Sequence, residues 1–417
     1  MKRVGSNQVT VSTYAWYGDK SLSLDFPVNW RVRKCLMAGH GSLPLSSELI
    51  KKRLGSPIGT VPLNQLAREK KECAIIVDDL TRPTKASQII PHVVSALIEA
   101  GFTKDKIRFV MALGCHHWMR LDDLRKKLGL DIPERFHVFE HNPYENNVYV
   151  GKTKHGVPLH VNKEVMSCDL KITMGSIIPH QSAGFGGGGK IVLPGVASID
   201  TITEHHKRLR QGIGAGRVAD NLQRQTSDEA ARMVGIDFSV NAILNENRDC
   251  CEIVCGEPVE AFRKGVEIAR KHYSTKTEDD VDIAIVNGYP MENEAYKALR
   301  IGIDSVREGG DVVILLHTPE GCRGHFYNGR FGMNYGGRGW GPEVYVKKPW
   351  RMKRIIAVAP HISLSDEWYY GRNSIWVRSW GKAMRLLRAE HEEKSAIKVA
   401  VYPYASLQIS EKNAAQK

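Results

Sequence analysis

The 417-residue sequence has no apolar run long enough to cross a bilayer, no C-x-x-C pair among its eight cysteines, and only 8% aromatic residues. The first absence argues against a membrane span, and the opening MKRVGSNQVTVSTYAW lacks the apolar core of a leader peptide. A soluble, cytoplasmic protein is expected. The cysteines (Cys35, Cys73, Cys115, Cys168, Cys250, Cys251, Cys255 and Cys322) lack zinc-knuckle spacing and read mostly as reduced thiols. Acidic residues are the minority charge, 46 against 59 Lys and Arg, giving a net charge of +13. The basic residues are scattered except around 207–217 and 347–354, and no aromatic recognition motif accompanies them. A solvated basic surface or an anionic small ligand is therefore favoured over nucleic acid. With 42% hydrophobic and 25% charged residues the chain is an ordinary globular one, and its length suggests two domains.

One absence is local. From Gly184 to Lys190 the segment PHQSAGFGGGGKIVLPG satisfies the G-x-x-x-x-G-K part of a phosphate-binding loop, but Ile191 stands where a magnesium-binding Ser or Thr is needed. The tail IVLP is a poor start for a phosphate-facing helix. Gly186, Gly187, Gly188 and Gly189 still allow close backbone approach to an anion. Phosphate binding stays an expectation; triphosphate hydrolysis is disfavoured, and a P-loop-like nucleotide-binding phosphohydrolase is kept as the alternative reading. A non-catalytic basic binding protein is the third.

Short apolar runs alternate with amphipathic segments, the pattern of two α/β domains with mostly parallel sheets. CAIIVDD (73–79) reads as a buried strand, the following ASQIIPHVVSALIEAGF as a helix closed by Gly101, and IRFVMALG (107–114) as the next strand. LKITMG (170–175) is another, and Ser198 caps a helix through SIDTITEHHKRLRQGIG. A second βαβ unit follows: VDIAIVNG, the helix ENEAYKALRIGIDSVREGG, then DVVILLH. The expected division is 1–277, the cofactor-binding catalytic domain, and 278–417, with the last strand-like run, IKVAVYPYASLQI, able to return to the first. The active site is expected in the cleft between them. The Gly-rich, aromatic stretch 321–341 reads as an irregular cover.

Ligands of such sheets bind beyond the carboxyl ends of the strands. Arg82 in DDLTRP, His116 and His117 in GCHHW, His180, Lys190, His205 and His206 all fall at or soon after such ends. Singly each has a bland explanation as a turn or surface residue. Together, two proton-transferring imidazoles, an arginine fork for a carboxylate and a lysine in a glycine cradle suit acid/base work on an anionic substrate.

The ordered set DDLTRPT, LGCHH, PHQSAGFGGGGKIVLPGVAS, EHH and NGYPMENEAYKALR is similar to the nickel-dependent lactate racemase family, over most of the chain. The resemblance implies a racemase or epimerase of a 2-hydroxy acid. It implies a nickel-pincer nucleotide (pyridinium-3,5-bisthiocarboxylic acid mononucleotide with nickel) joined as a thioamide to Lys190, with the glycines giving it room. The nickel-ligating histidine, sixteen residues after the lysine, corresponds to His206, with His205 as the neighbouring option. His116 and His180 correspond to the acid/base pair on opposite faces of the substrate. One takes the hydroxyl proton as the α-hydrogen leaves as hydride to give a transient 2-keto acid, and the other serves the return. Arg82 matches the substrate-binding arginine, and Asp79 can orient a histidine or the hydroxyl. The implied partners are the small 2-hydroxy acid and cofactor-making enzymes, with no nucleic acid or membrane.

The sequence departs from the family near the second-domain motif, where a glutamine and a lysine usually lie near the substrate. Lys297 and Arg300 hold the corresponding positions, so either the alignment slips there or the substrate is larger or more anionic than lactate. His117 and Trp118 also differ from the common pattern.

Overall fold

The computed structural model describes residues 6–321, 351–362, 374–391 and 396–415. The chain divides into two compact units, one spanning 39–272 and the other drawing on 1–38 and 273–414.

In the 39–272 unit a six-stranded sheet runs in the order Cys250–Gly256, Phe238–Leu244, Leu170–Ser176, Cys73–Asp78, Ile107–Ala112, His137–Glu140. Every pairing is parallel except that of the first two strands. Cys73–Asp78 is buried at all six positions, as a strand covered on both faces must be, which is why it reads as an unbroken apolar run. The helix Ile90–Glu99 follows with Pro91 in its first turn, and Gly101, at φ +102°, ends it in a conformation suited to glycine. Ile107–Ala112 and Leu170–Ser176 flank Cys73–Asp78 on either side. Three chemically loaded loops, DDLTRPT, GCHHW and the glycine-rich segment, therefore leave neighbouring strands at one sheet edge.

The other unit holds a fully parallel sheet in the order Ser374–Val377, Arg354–Val358, Val306–Leu315, Val281–Asn287, Lys398–Tyr402, Arg31–Lys34. One side of it packs Ala284, Val286, Val312 and Ile314, the other Ile283, Ile285, Val313 and Leu315, so alternate residues of two strands feed two cores. The edge strand comes from the start of the chain: the sequence reading groups 1–38 with the first domain, whereas Arg31–Lys34 pairs with Lys398–Tyr402. RVRK is short and polar, and nothing local in it names a partner more than 350 residues away. The expected long helix also stops early, at Ser305, because Val306 already pairs with Val281 in the sheet. The final strand stays in this unit, between Val281–Asn287 and Arg31–Lys34. Beyond Gly321, the stretch expected as a cover lies outside the described residues. Among the described residues no helix is long and apolar enough to cross a membrane, and the seven described cysteines form no disulfide.

A buried histidine ties the edge of the first sheet to the site. His141 donates from Nε2 to the Ala197 carbonyl at 2.8 Å, and its Nδ1 accepts from the Asn162 amide at 3.2 Å. Burial pushes its pKa down to about 4, opposed by the bond to Ala197. The folded value lies below the ordinary 6.5, so the unfolded chain binds the extra proton first as pH falls. Stability contributed by neutral His141 is complete above about pH 6.5 and is lost on the way to pH 4, by about 3 kcal/mol at about 1.4 kcal/mol per unit. Urea melts at pH 7 and pH 4.5 are expected to show the loss, and His141→Gln is expected to flatten it. An unchanged slope in that variant assigns the acid sensitivity to other groups.

Candidate active site

Asp79 ends the strand Cys73–Asp78 and begins a tight turn. Its carboxylate accepts from the Thr81 amide at 2.9 Å and the Thr81 hydroxyl at 2.5 Å, and its other oxygen lies 2.6 Å from His116 Nδ1. Burial alone would raise the Asp79 pKa. His116 beside it, Arg82 and the Thr81 hydroxyl outweigh burial and hold the carboxyl well below the usual range. An ionised Asp79 accepts the Nδ1 proton of His116, so the tautomer is set and Nε2 is the nitrogen left for proton transfer. Arg82 donates to the Thr81 hydroxyl at 2.7 Å, which places its guanidinium beside the dyad.

His180 sits in a different setting. It pairs with Gly184 across the three-residue turn 181–183, and its Nδ1 accepts from the amides of Ser182 and Ala183, each at 3.2 Å. With Nδ1 accepting, the proton of the neutral ring is on Nε2. The two histidines thus present opposite hydrogen-bonding roles at Nε2: acceptor on His116, donor on His180.

The segment from His180 to Lys190 is shaped by the helix Leu222–Val234, whose residues had no functional sign in the sequence. Asn221, its N-cap, holds the Ser182 carbonyl at 2.7 Å. Arg224, almost wholly buried, collects the carbonyls of Gly187 at 3.1 Å, Ala183 at 3.4 Å and Phe185, while its guanidinium lies 4.0 Å over the Phe262 ring. The glycines acquire a packing reason. Gly188, at φ +56°, would place a Cβ 2.7 Å from the Phe262 ring, and a Cβ on Gly189 would collide with the Ser227 carbonyl. Gly186 and Gly188 spend their amides on the Ile178 carbonyl and the Asn241 side chain, so these two N–H groups serve the loop itself rather than a phosphate. Arg224→Leu would strand three buried carbonyls and Asp228. It is expected to cost roughly 3–5 kcal/mol, read as a lowered melting temperature. A melt within 1 °C of wild type would contradict the role given to Arg224.

Lys190 follows in a single 3₁₀ turn, Gly188–Ile191, not at the start of an α-helix as a P-loop requires. Ile191 is buried and meets Gly175 of the neighbouring strand, so it occupies the space where a magnesium hydroxyl would stand. The Gly195 carbonyl accepts from the Gly114 amide at 2.8 Å, joining the Lys190 segment to the loop that carries His116.

The helix Ile199–Arg208 starts at Ser198, whose hydroxyl accepts from the Thr201 amide at 3.3 Å, and carries His205 and His206 in its last turn. Burial drives both imidazoles toward the neutral form, His206 to about 4, and the Lys190 ammonium lies close enough to depress both further. His206 fixes its Nδ1 proton on the Ile202 carbonyl at 2.8 Å, so its Nε2 carries the lone pair. His205 is 2% exposed, and among the described residues its Nδ1 meets no hydrogen-bond partner. A neutral imidazole oriented by a carbonyl and set near an amine suits a nitrogen-ligated metal on a lysine-anchored group. Among the described residues no cluster of three or more His, Cys, Asp or Glu forms a metal cage of protein ligands alone.

Lys297 and Arg300 belong to the other unit, where they have separate surroundings. Lys297 is buried and ion-paired with Glu294, whereas Arg300 lies on an exposed helix turn 3.0 Å from Asp304. Sequence reasoning also passed over Glu292, whose buried carboxylate accepts from the amides of Ala15 at 2.7 Å and Tyr14 at 3.1 Å.

Acidic, basic and imidazole groups gathered at the carboxyl edge of three parallel strands make this the candidate site of an α/β protein. Its relatives are more particular. Residues 17–216, which contain Asp79, Arg82, His116, His180, Lys190 and His206, match the lactate racemase N-terminal domain. Lactate racemase of Thermoanaerobacterium thermosaccharolyticum is 28% identical over 325 residues, covering 75% of this chain and 76% of that protein. The lactate racemase of Lactiplantibacillus plantarum is 29% identical over 292 residues, 67% of this chain and 68% of its own length. The fold matches the T. thermosaccharolyticum lactate racemase apoprotein with a TM-score of 0.73 at 22% identity, over 96% of this chain and 100% of that one. A Thermotoga maritima protein matches at TM-score 0.64 and 18% identity, over 89% and 99%. The chain is thus similar to lactate racemases over two thirds or more of its length, and it shares their fold.

Proposed function

We propose that this protein is an isomerase that racemises or epimerises a 2-hydroxy acid, with His116 and His180 as its acid/base pair. The observation that carries the reading is the Asp79–His116 contact of 2.6 Å, which commits Nδ1 and turns Nε2 into the working base. His116 takes the hydroxyl proton of one enantiomer, Asp79 stabilises the imidazolium that results, and Arg82 pairs with the substrate carboxylate. His180 returns a proton to the oxygen on the other face. To do so it must take a proton from water at Nδ1 and release the Ser182 and Ala183 amides, so the turn 181–183 moves with the proton; His116 returns its own proton to water and the cycle closes. Lys190 and His206 would hold a nickel-pincer nucleotide, which when bound supplies the hydride acceptor and donor. The test is chiral analysis of a panel of 2-hydroxy acids, beginning with lactate, incubated with protein co-produced with cofactor-making enzymes. No interconversion of any member, with the cofactor present by intact mass, would end this reading.

The neighbouring histidines separate by metal content. His206→Ala is expected to lose bound nickel while the organic group remains attached. His205→Ala keeps the nickel, because its ring is enclosed by the helix packing. Metal analysis of the two loaded variants decides, and the reverse pattern moves the ligand to His205.

A further inference from the structure

We infer that Lys127 is a positioning residue of the acid/base site, holding the turn Asp79–Arg82 by its carbonyls and thereby fixing the carboxylate that orients His116. The inference rests on the reading of His116 as an acid/base group.

Lys127 lies near the end of the helix Leu121–Leu128, in the sequence LRKKL, where a lysine ordinarily faces water. Its side chain is instead completely buried. Its ammonium donates to the Asp79 carbonyl at 2.9 Å and the Arg82 carbonyl at 3.1 Å, and it is ion-paired with Asp78 Oδ1 at 2.5 Å. The two carbonyls are those of the first and last residues of the turn that the Arg82 amide closes onto Asp79 at 3.1 Å. The ammonium thus clamps the turn from beneath, while the Asp79 carboxylate projects to His116.

The adjacent acids divide the work. Asp78 balances the buried ammonium, and its second oxygen accepts from the Thr84 hydroxyl at 2.7 Å. Asp79 is left to His116. A buried cation is an expensive way to fill space, since an apolar residue of similar volume would stabilise the fold as well or better. The cost is understandable if the turn has to be held in one geometry. A small displacement of the Asp79 carboxylate would let the His116 ring exchange tautomers and put the proton on the wrong nitrogen.

The experiment uses the full-length apoprotein labelled with ¹⁵N-histidine. Wild type is expected to show His116 protonated at Nδ1, with a downfield proton resonance from the bond to Asp79; Asp79→Asn, which loses that resonance, assigns it. Lys127→Met alone leaves Asp78 buried without its cation and is open to unfolding. The double variant Lys127→Met/Asp78→Asn removes both charges together, and Lys127→Arg keeps the charge but cannot place one compact ammonium on both carbonyls and Asp78. In either folded variant, checked by circular dichroism, the resonance is expected to disappear or split between tautomers. In the loaded enzyme kcat is expected to fall by about 10²-fold with KM little changed. An unaltered His116 resonance in a folded double variant or in Lys127→Arg would overturn the inference and leave Lys127 a structural cation. If His116→Ala still racemised, the acid/base reading would fall, but the resonance would still report whether Lys127 sets the dyad.

Discussion

His116→Ala and His180→Ala are each expected to lower racemisation by about 10²–10⁴-fold, the usual worth of a positioned acid or base. Each turnover uses one imidazole to take the oxygen-bound proton and the other to supply a proton to that oxygen, with both rings re-equilibrating with water, so loss of either interrupts both directions. Mirror-image substrates have equal free energies, so the rates from the two hands must fall together. The double variant should be little worse than the singles, because groups that act as a unit are not additive. Asp79→Asn is expected to lose kcat with KM nearly retained. The ring stays in place, but an amide presents a donor as well as an acceptor to Nδ1 and no longer selects the tautomer. Chiral chromatography of reactions started from each enantiomer checks all four variants. A near wild-type rate from His180→Ala would remove it from the pair and make His117 the first residue to test.

Lys190→Ala is expected to abolish covalent attachment of the nucleotide, and with it all activity, while leaving the fold intact. The side chain is half-buried in a one-turn 3₁₀ segment, and the loop around it is held by the backbone carbonyls on Arg224 and by Gly114 on Gly195. Shortening Lys190 therefore touches little packing, and the change in stability is expected to stay within about 1 kcal/mol. Lys190→Arg should fail equally. A guanidinium preserves the charge but is not an amine that can be acylated at ordinary pH. Intact mass of wild type, Ala and Arg variants co-produced with the cofactor-making enzymes reads the result directly. A wild-type mass increment on the Ala variant would move the anchor elsewhere.

The sequence was most informative where chemistry and local period coincide. The strands Cys73–Asp78, Ile107–Ala112 and Leu170–Ser176 are visible as apolar runs, because a strand buried on both faces admits little else. The Ser198 cap is visible because a helix start needs a side-chain acceptor for its amides. Asp79, Arg82, His116, His180, Lys190 and His206 could be singled out because their side chains carry recognisable chemistry at strand ends and the order of their motifs resembles one family.

Only the tertiary structure decided what each of those groups touches. Asp78 and Asp79 are adjacent and chemically identical, yet one faces Lys127 and the other His116, 37 residues away. Lys127 and Arg224 look like surface cations on polar helices and prove to be buried clamps on the two loops that carry the proposed site. The four glycines suggested a phosphate cradle, but their neighbours Phe262 and Ser227 show a requirement for close packing. The first 38 residues joined the other unit through a strand whose partner lies near the end of the chain. In each case the deciding contact joins residues far apart in sequence. Side-chain type and periodicity record what a residue is able to do and which face it prefers; the identity of a distant partner is fixed only when folding brings the two together.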